Sequence, residues 1–502
     1  MNNAICKVVI VGGGTAGWMS AAVLSKAFGR RLDIHLVESE AIGIVGVGEA
    51  TIPQIRLINQ YLGLDEDDFL RAAQGTFKLG IQFNGWTAPD HSYLHAFGEI
   101  GRPLGLLGFH HYWLRARHEG EPTALWDYSL NTGAALAGRC ARLEQIPDTP
   151  FPGIRHAFHF DAALYARYLR RHAERWGVIR HEGRIVNVER DGESGDIARL
   201  KLASGKEIVG DFFIDCSGFS ALLLGQALNI GYEDWQMWLP CDRAAALPSA
   251  RTAPLRPYTQ ANARPAGWQW RIPLQHRTGN GHVYCSRFIS DDEAVATLMA
   301  HLEGEALGEP RLLRFTAGIR EQFWNRNCVA IGLSSGFLEP LESTSIHLIQ
   351  SAIGRLVQLF PAAHCEPALR DEYNAQTRFE FERIRDFLIF HYWANGRSGE
   401  PFWDERRNTP PPPSLVHKVE LFRTGGRFFR DGEELFTEGS WVQVLLGQGI
   451  VPRRHHPLAA AVERQKLNEM MSGIRTLIAH TVDRMPSHAD YIERHCQAAG
   501  VT

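Results

Sequence analysis

Hydrophobic positions along this chain follow two periods, and each change of period marks an element. Val8-Val9-Ile10-Val11 is an unbroken apolar run, the pattern of a strand buried on both faces, and a helical stretch then reaches Phe28 with Gly29 as its stop. A second strand over 32–37 ends in Glu38. Ile52, Ile55, Ile58 and Leu62 recur at helical spacing, and a further helix runs from Asp65 to Gly75. At Phe77 the period falls to two. Phe77, Leu79, Ile81 and Phe83 alternate with Lys78, Gly80 and Gln82, which predicts one half-buried strand with Lys78 on its other face; spacing alone favours a solvated lysine.

Irregular, aromatic-rich sequence fills 87–152 and predicts an excursion into a second lobe. A helix over 161–176, a strand over 184–189, a turn at 192–195 and strands either side of Ser204-Gly205 lead to an apolar strand ending Asp215-Cys216-Ser217-Gly218. In 267–273, Trp268, Trp270 and Ile272 share one face of a strand. The short apolar strand 328–333 precedes a helix starting near Ser343, with Ile346, Ile349, Ile353 and Leu356 on one face. Helices are expected over 369–393, 415–424, 438–447 and 458–483, and Pro410 to Pro413 reads as a rigid spacer. These returns predict an α/β protein, elaborated towards α+β. Residues 1–86, 153–220 and 315–360 are assigned to a discontinuous Rossmann-like domain, and 87–152, 221–314 and 361–502 to a substrate-binding lobe that is helical towards its end.

Composition mainly excludes. At 502 residues and 44% hydrophobic content the chain buries a large core. A net charge of −3 with scattered Lys and Arg leaves no electrostatic footprint for nucleic acid or anionic membrane. The eight cysteines form no C-x-x-C pair, pointing to reduced thiols, and neither a disulfide nor a zinc site is expected. His110 and His111 are read as pointing in opposite directions, so no metal pair is expected there. The chain enters its first strand at once and holds no apolar run long enough to span a bilayer, so a cytoplasmic protein is expected.

Candidate chemistry begins at Gly12-Gly13-Gly14-Thr15-Ala16-Gly17. This G-x-G-x-x-G follows a strand, opens a helix and precedes the carboxylate Glu38 by about 20 residues, the context of a dinucleotide-binding turn. Gly12 permits the tight turn, Gly14 lets a pyrophosphate approach the backbone, and Gly17 lets helix and strand pack closely. The stretch Glu339 to Ser345 enters a helix whose N-terminal amides favour an anion; Glu342 there also suits a plain helix-dipole role.

Three stretches together resemble the flavin-dependent halogenases of the tryptophan-halogenase type: G-G-G-T-A-G-W at 12–18, W-x-W-x-I-P at 268–273 and P-L-E-S-T at 340–344. G-V-G-E-A-T-I-P at 46–53 and F-K-L-G-I at 77–81 fit the same family, and Asp215 to Gly218 is similar to the return to the flavin in flavoprotein hydroxylases. The resemblance implies an FAD-binding domain of the flavin-monooxygenase type and a reaction in which FADH2, O2 and a halide, bromide or chloride, give hypohalous acid inside the protein. Lys78 matches the family's lysine, which forms a haloamine or hydrogen-bonds the hypohalous acid; Glu342 matches its glutamate, a general base for the ring proton. By the same matching Gly12, Gly13, Gly14, Thr15, Ala16 and Gly17 hold the pyrophosphate, Glu38 the ribose, and Ala50 and Leu333 the isoalloxazine, with Val186 and Ile346 as further flavin contacts. The halide is assigned to amides of Thr344 and Ser345, where the family usually carries glycine at the second position. The tryptophans of W-x-W-x-I-P stand between substrate and flavin in the family; core packing explains them equally well.

On the substrate side, His95-Ala96-Phe97-Gly98 resembles the H-x-F-G stretch that sandwiches an indole, which assigns His95 and Phe97 to the substrate. The aromatic pairs with which tryptophan-specific members clamp the amino-acid backbone are not recognisable in 418–441. The expected substrate is therefore a small electron-rich arene, indole-type rather than free tryptophan. One dinucleotide fingerprint leaves none for a nicotinamide, so a separate flavin reductase is the expected partner. A single-component FAD aromatic monooxygenase and a flavin-binding protein acting on a carrier-bound substrate are the competing readings.

Overall fold

The computed structural model describes residues 4–41 and 48–500, so the 42–47 part of the glycine-rich loop lies outside the described residues. The chain divides into two compact units, each built from three segments: 1–75, 160–242 and 314–382 in one, 76–159, 243–313 and 383–502 in the other.

The first unit is organised on a six-stranded sheet in the order Trp324–Asn325, Cys328–Ala330, Phe212–Asp215, Lys7–Val11, Asp33–Glu38, Ile179–Glu182. Its pairings are parallel except at the Trp324–Asn325 edge. Parallel strands are covered on both faces, which is why their sequences read as unbroken apolar runs. Helices Thr15–Phe28 and Ala162–Arg175 pack on each other. A small antiparallel sheet of Ile185–Arg190, Ile197–Leu202 and Glu207–Val209 contributes Ile197, Leu200, Leu202 and Ile208 to a core shared with Val9, Val11 and Phe213.

A seven-stranded mixed sheet organises the second unit, in the order Arg311–Arg314, Arg243–Ser249, Thr278–Tyr284, Gly267–Pro273, Thr259–Arg264, Gly80–Asn84, Ser92–Ala96. Helices Phe109–His118, Leu130–Leu136, Pro401–Asn408, Pro413–Gly425, Glu438–Gly447, Arg464–Asp483 and His488–His495 belong to it, and the long helix Pro367–Trp393 runs through residues of both units.

Three expectations change. The single strand expected over 77–83 is two strands, Thr76–Lys78 and Gly80–Asn84, because the chain changes partners at Leu79. Leu79 donates its N–H to Pro257 O at 2.7 Å and accepts from Phe97 N–H at 2.8 Å. Thr76–Lys78 pairs with Ala157–Phe160, whereas Gly80–Asn84 lies between Thr259–Arg264 and Ser92–Ala96. The segment 76–86 thus belongs to the second unit and 221–242 to the first, shifting the expected boundaries. Finally, the helix expected from 458 starts at Arg464, after a short 3-10 turn over Pro457–Ala461.

Candidate active site

The glycine turn of the first unit is shaped by close backbone approaches. Gly12 has φ 113°, and a Cβ there would meet Cys216 O at 2.2 Å; a Cβ on Gly17 would meet Gly12 O at 1.8 Å. Around the missing Cβ of Gly14 there is open space within 4 Å, and no side chain caps the helix that Thr15 and Ala16 begin. Glu38, ending its strand, crosses Gly13, whose Cβ would lie 1.4 Å from Oε2. Its Oε1 pairs with Arg180 and, at 3.5 Å, with Arg170, and Oε2 accepts from Trp18 Nε1 at 3.3 Å. An open glycine, uncapped helix amides and a carboxylate at the neighbouring strand tip fit a dinucleotide's pyrophosphate and ribose.

Elsewhere in this unit Asp215 is fully buried and caps a following turn: its oxygens accept from the N–H groups of Ser217, Leu223 and Leu224 at 2.8–3.0 Å. Leu333 lies in the turn Gly332–Ser334, Ala50 is buried at the end of Glu49–Ala50, and burial pushes the Glu49 carboxyl up to about 7. Glu342 is buried at the end of the turn Pro340–Glu342, after which Ser343 takes a left-handed conformation at φ 59°. Helix Ser345–Gln358 then begins with no side-chain cap; Thr344 and Ile346 are buried, and Thr344 Oγ1 has no hydrogen-bond partner. A first turn whose amides are not capped, behind a strained residue, suits an anion.

In the second unit Lys78 is wholly buried, which overturns the solvated reading. Its Nζ stands 5.3 Å from the centre of the Phe97 ring, and His95 lies opposite Ile81 on the next strand pair. Two histidines hold the lysine strand. His488 Nδ1–H donates to Leu255 O at 3.0 Å, leaving Nε2 to accept from Phe77 N–H at 3.1 Å. Thr76 Oγ1 donates to Pro273 O at 2.7 Å and so accepts from His159 Nδ1–H at 3.0 Å, and His159 Nε2 accepts from Thr259 Oγ1 at 2.9 Å. Burial, and then the charge of Lys78, hold His159 well below the usual imidazole range; burial holds His488 to about 4. Both imidazoles are therefore neutral beside the buried lysine.

The tryptophan halogenase sequence profile matches residues 7–464. This chain belongs to the tryptophan halogenase family. The tryptophan 6-halogenase SttH of Streptomyces toxytricini is 37% identical over 97% of both chains. Two solved flavin-dependent halogenases are closer in sequence: Xcc4156 from Xanthomonas campestris, at 50% identity and a TM-score of 0.95 over 99% of both chains, and BrvH from Brevundimonas sp. BAL3, at 45% and 0.94 over 98% of this chain and 99% of that one. The protein is an FADH2-dependent halogenase of α/β fold with FAD as cofactor and a halide as co-substrate. Among the described residues no helix is long and apolar enough to cross a membrane.

Within this halogenase the assigned residues other than Ala50 and Val186 fall into three groups. Gly12 to Gly17 and Glu38 form the turn; Leu333, Glu342, Thr344, Ser345 and Ile346 cluster along one return of the chain; Lys78, His95 and Phe97 belong to the second unit. Val186 stands apart, 51% exposed on the small antiparallel sheet. Trp268 and Trp270 are buried with ring centres 6.2 Å apart; Gly281 opposite Trp270 makes room for its ring, since a Cβ there would meet it at 2.0 Å. Sequence reasoning missed His159 and His488, which approach Lys78 from 81 and 410 residues away along the chain; no local signal marks either. It also missed an apolar box beside His95: the Phe387 ring centre is 5.8 Å from His95, 3.8 Å from Phe436 and 4.7 Å from Trp441. The reading of His110 and His111 is corrected too. Both lie in the first turn of Phe109–His118, where successive residues are about 100° apart rather than opposed, and their ring centres are 4.1 Å apart.

Proposed function

We propose that this halogenase modifies an indole-type arene without an amino-acid backbone, and that the halogen reaches the ring through Lys78. The observation that carries the reading is the wholly buried lysine facing Phe97, with His95 nearby. Residues Gly12 to Gly17, Glu38, Ala50, Leu333 and Ile346, with Val186 as the most peripheral, are assigned to FAD, which when reduced supplies with O2 the oxidising power that turns halide into hypohalous acid. The amides of Thr344 and Ser345 hold the halide. Lys78 carries the halogen as a haloamine or donates a hydrogen bond to the hypohalous acid; either way the electrophilic halogen bonds to a ring carbon, and that carbon's proton goes to the Glu342 carboxylate.

The box of Phe387, Phe436 and Trp441 supports an arene without charged substituents. The buried ion pair of Lys418 with Glu434 is satisfied internally, and Lys418 also lies over the Phe428 and Trp441 rings at 5.2 and 5.7 Å. Free tryptophan entering such an apolar box has to desolvate an ammonium and a carboxylate. Comparing kcat/KM for indole and tryptophan with one flavin reductase, in bromide and in chloride separately, tests this. Indole is expected to be the better substrate, modified at its intrinsically reactive C3; a clear preference for tryptophan at a single benzo-ring carbon overturns the reading.

A further inference from the structure

Away from the lysine strand, the second unit brings two imidazoles and one carboxylate together. One ring nitrogen each of His110 and His111 and a carboxylate oxygen of Glu438 lie within 4.8 Å of one another. The histidines open helix Phe109–His118 and the glutamate opens helix Glu438–Gly447, elements more than 300 residues apart in sequence. His111 is 5% exposed, and its Nδ1 is buried with no hydrogen-bond partner. His110 donates Nε2–H to Gly426 O at 2.8 Å, the anchoring of one ring edge on a backbone carbonyl that orients metal-bound imidazoles. Two glycines keep space open: a Cβ on Gly108 would lie 3.0 Å from His110 Nδ1, and one on Gly426 would lie 3.5 Å from His111 Nδ1 and 2.6 Å from Leu114.

We propose that His110, His111 and Glu438 form a transition-metal site of the two-histidine, one-carboxylate type, with water completing the shell on the open side where Glu438 is half exposed. With His110 Nε2–H donated to Gly426 O, its Nδ1 keeps the lone pair for a metal, and His111 Nδ1 is buried without a partner. Glu438 is half exposed, with Oε1 3.8 Å from His110 Nε2. Arg427 and the positive ends of two helices oppose a cation, so binding must come from bonds to imidazole. That selects Zn2+, Ni2+ or Cu2+ over Mg2+ or Ca2+. A bound ion would tie the start of Phe109–His118 to Glu438–Gly447, the helix whose Gln443 amide bonds both the N–H and the C=O of Ala96 at 3.0 and 3.1 Å, next to His95.

The test uses the full chain freed of any affinity tag and stripped with chelator, titrated with Zn2+ against a chromophoric competitor and with Co2+ by its visible spectrum. One tight Zn2+ per chain is expected, with Co2+ bands of a four- or five-coordinate nitrogen and oxygen site. H111A and E438Q should each weaken binding by more than the about 10–100-fold that loss of an outer-shell partner costs. H118A, which removes an exposed histidine from its contact with His455, should leave binding unchanged. E438Q alters a half-exposed side chain, so folding, checked by circular dichroism, is expected to survive it. Equal Zn2+ binding by wild type, H111A and E438Q, or no stoichiometric binding by wild type, overturns the proposal.

Discussion

Lys78 and Glu342 are two residues whose types and neighbours in sequence suggested roles but whose surroundings are tertiary. Around Lys78 every proton in the threonine and histidine network has one consistent place: Thr76 to Pro273 O, His159 to Thr76, Thr259 to His159. A neutral lysine mimic should therefore leave the fold intact while removing the delivery of halogen. Lys78→Met is expected to abolish halogenated product while FAD binding, read by flavin fluorescence, stays at the wild-type level; near wild-type halogenation by this variant would remove the lysine from the mechanism. For Glu342→Gln the expected slowing is roughly a hundredfold or more, since a general base contributes about that much, with residual product because the electrophile is still positioned. Single-turnover product formation measures it.

Among elements, the glycine turn offers a test that separates packing from ligand approach. At Gly17 an added methyl meets the backbone oxygen of Gly12 at 1.8 Å, whereas at Gly14 it meets nothing. Gly17→Ala should lower stability by roughly 1–3 kcal/mol through overpacking, seen as a fall in the urea midpoint. Gly14→Ala should leave that midpoint unchanged and weaken FAD, because its methyl enters the space that a pyrophosphate needs. Equal flavin affinity in Gly14→Ala and wild type would show that the phosphates lie elsewhere. The turn was legible in sequence because a buried parallel strand, a glycine pattern and a helix are contiguous. The lysine strand was legible as a strand but not as two. Alternation records side-chain direction and is silent about which partner strand each half joins, and here the partners change at Leu79.

At the scale of the whole molecule, two properties follow from what the chain buries and what it lacks. His110, His181, His282 and His488 are held to about 4 and His111 to about 3, each chiefly by burial, against an ordinary 6.5. An unfolded chain takes up protons near 6.5 that the folded one refuses. The stability these groups contribute is therefore complete above 6.5 and is lost progressively as pH falls towards 4. Melting temperatures at steps across that window should decline steadily, and His488→Gln should flatten the decline; a constant Tm from pH 7 to 4.5 contradicts it. The second property concerns reducing equivalents. With one dinucleotide fingerprint, the isolated protein should not oxidise NADPH with bound FAD and should form product only when a flavin reductase is added. Reduction of bound flavin by NADPH alone would favour the single-component monooxygenase.

The sequence by itself determined the parallel-sheet core, the glycine turn and the family, and it singled out Lys78, Glu342 and Glu38 as candidates, because each depends on neighbours close along the chain. Only the tertiary structure decided that Lys78 is buried, that neutral His159 and His488 hold its strand, that Glu38 is met by Arg180, Arg170 and Trp18, and that His110, His111 and Glu438 converge. Those arrangements bring together residues tens to hundreds of positions apart, and burial, protonation and charge pairing are properties of the assembled surroundings that periodicity along one strand or helix does not carry.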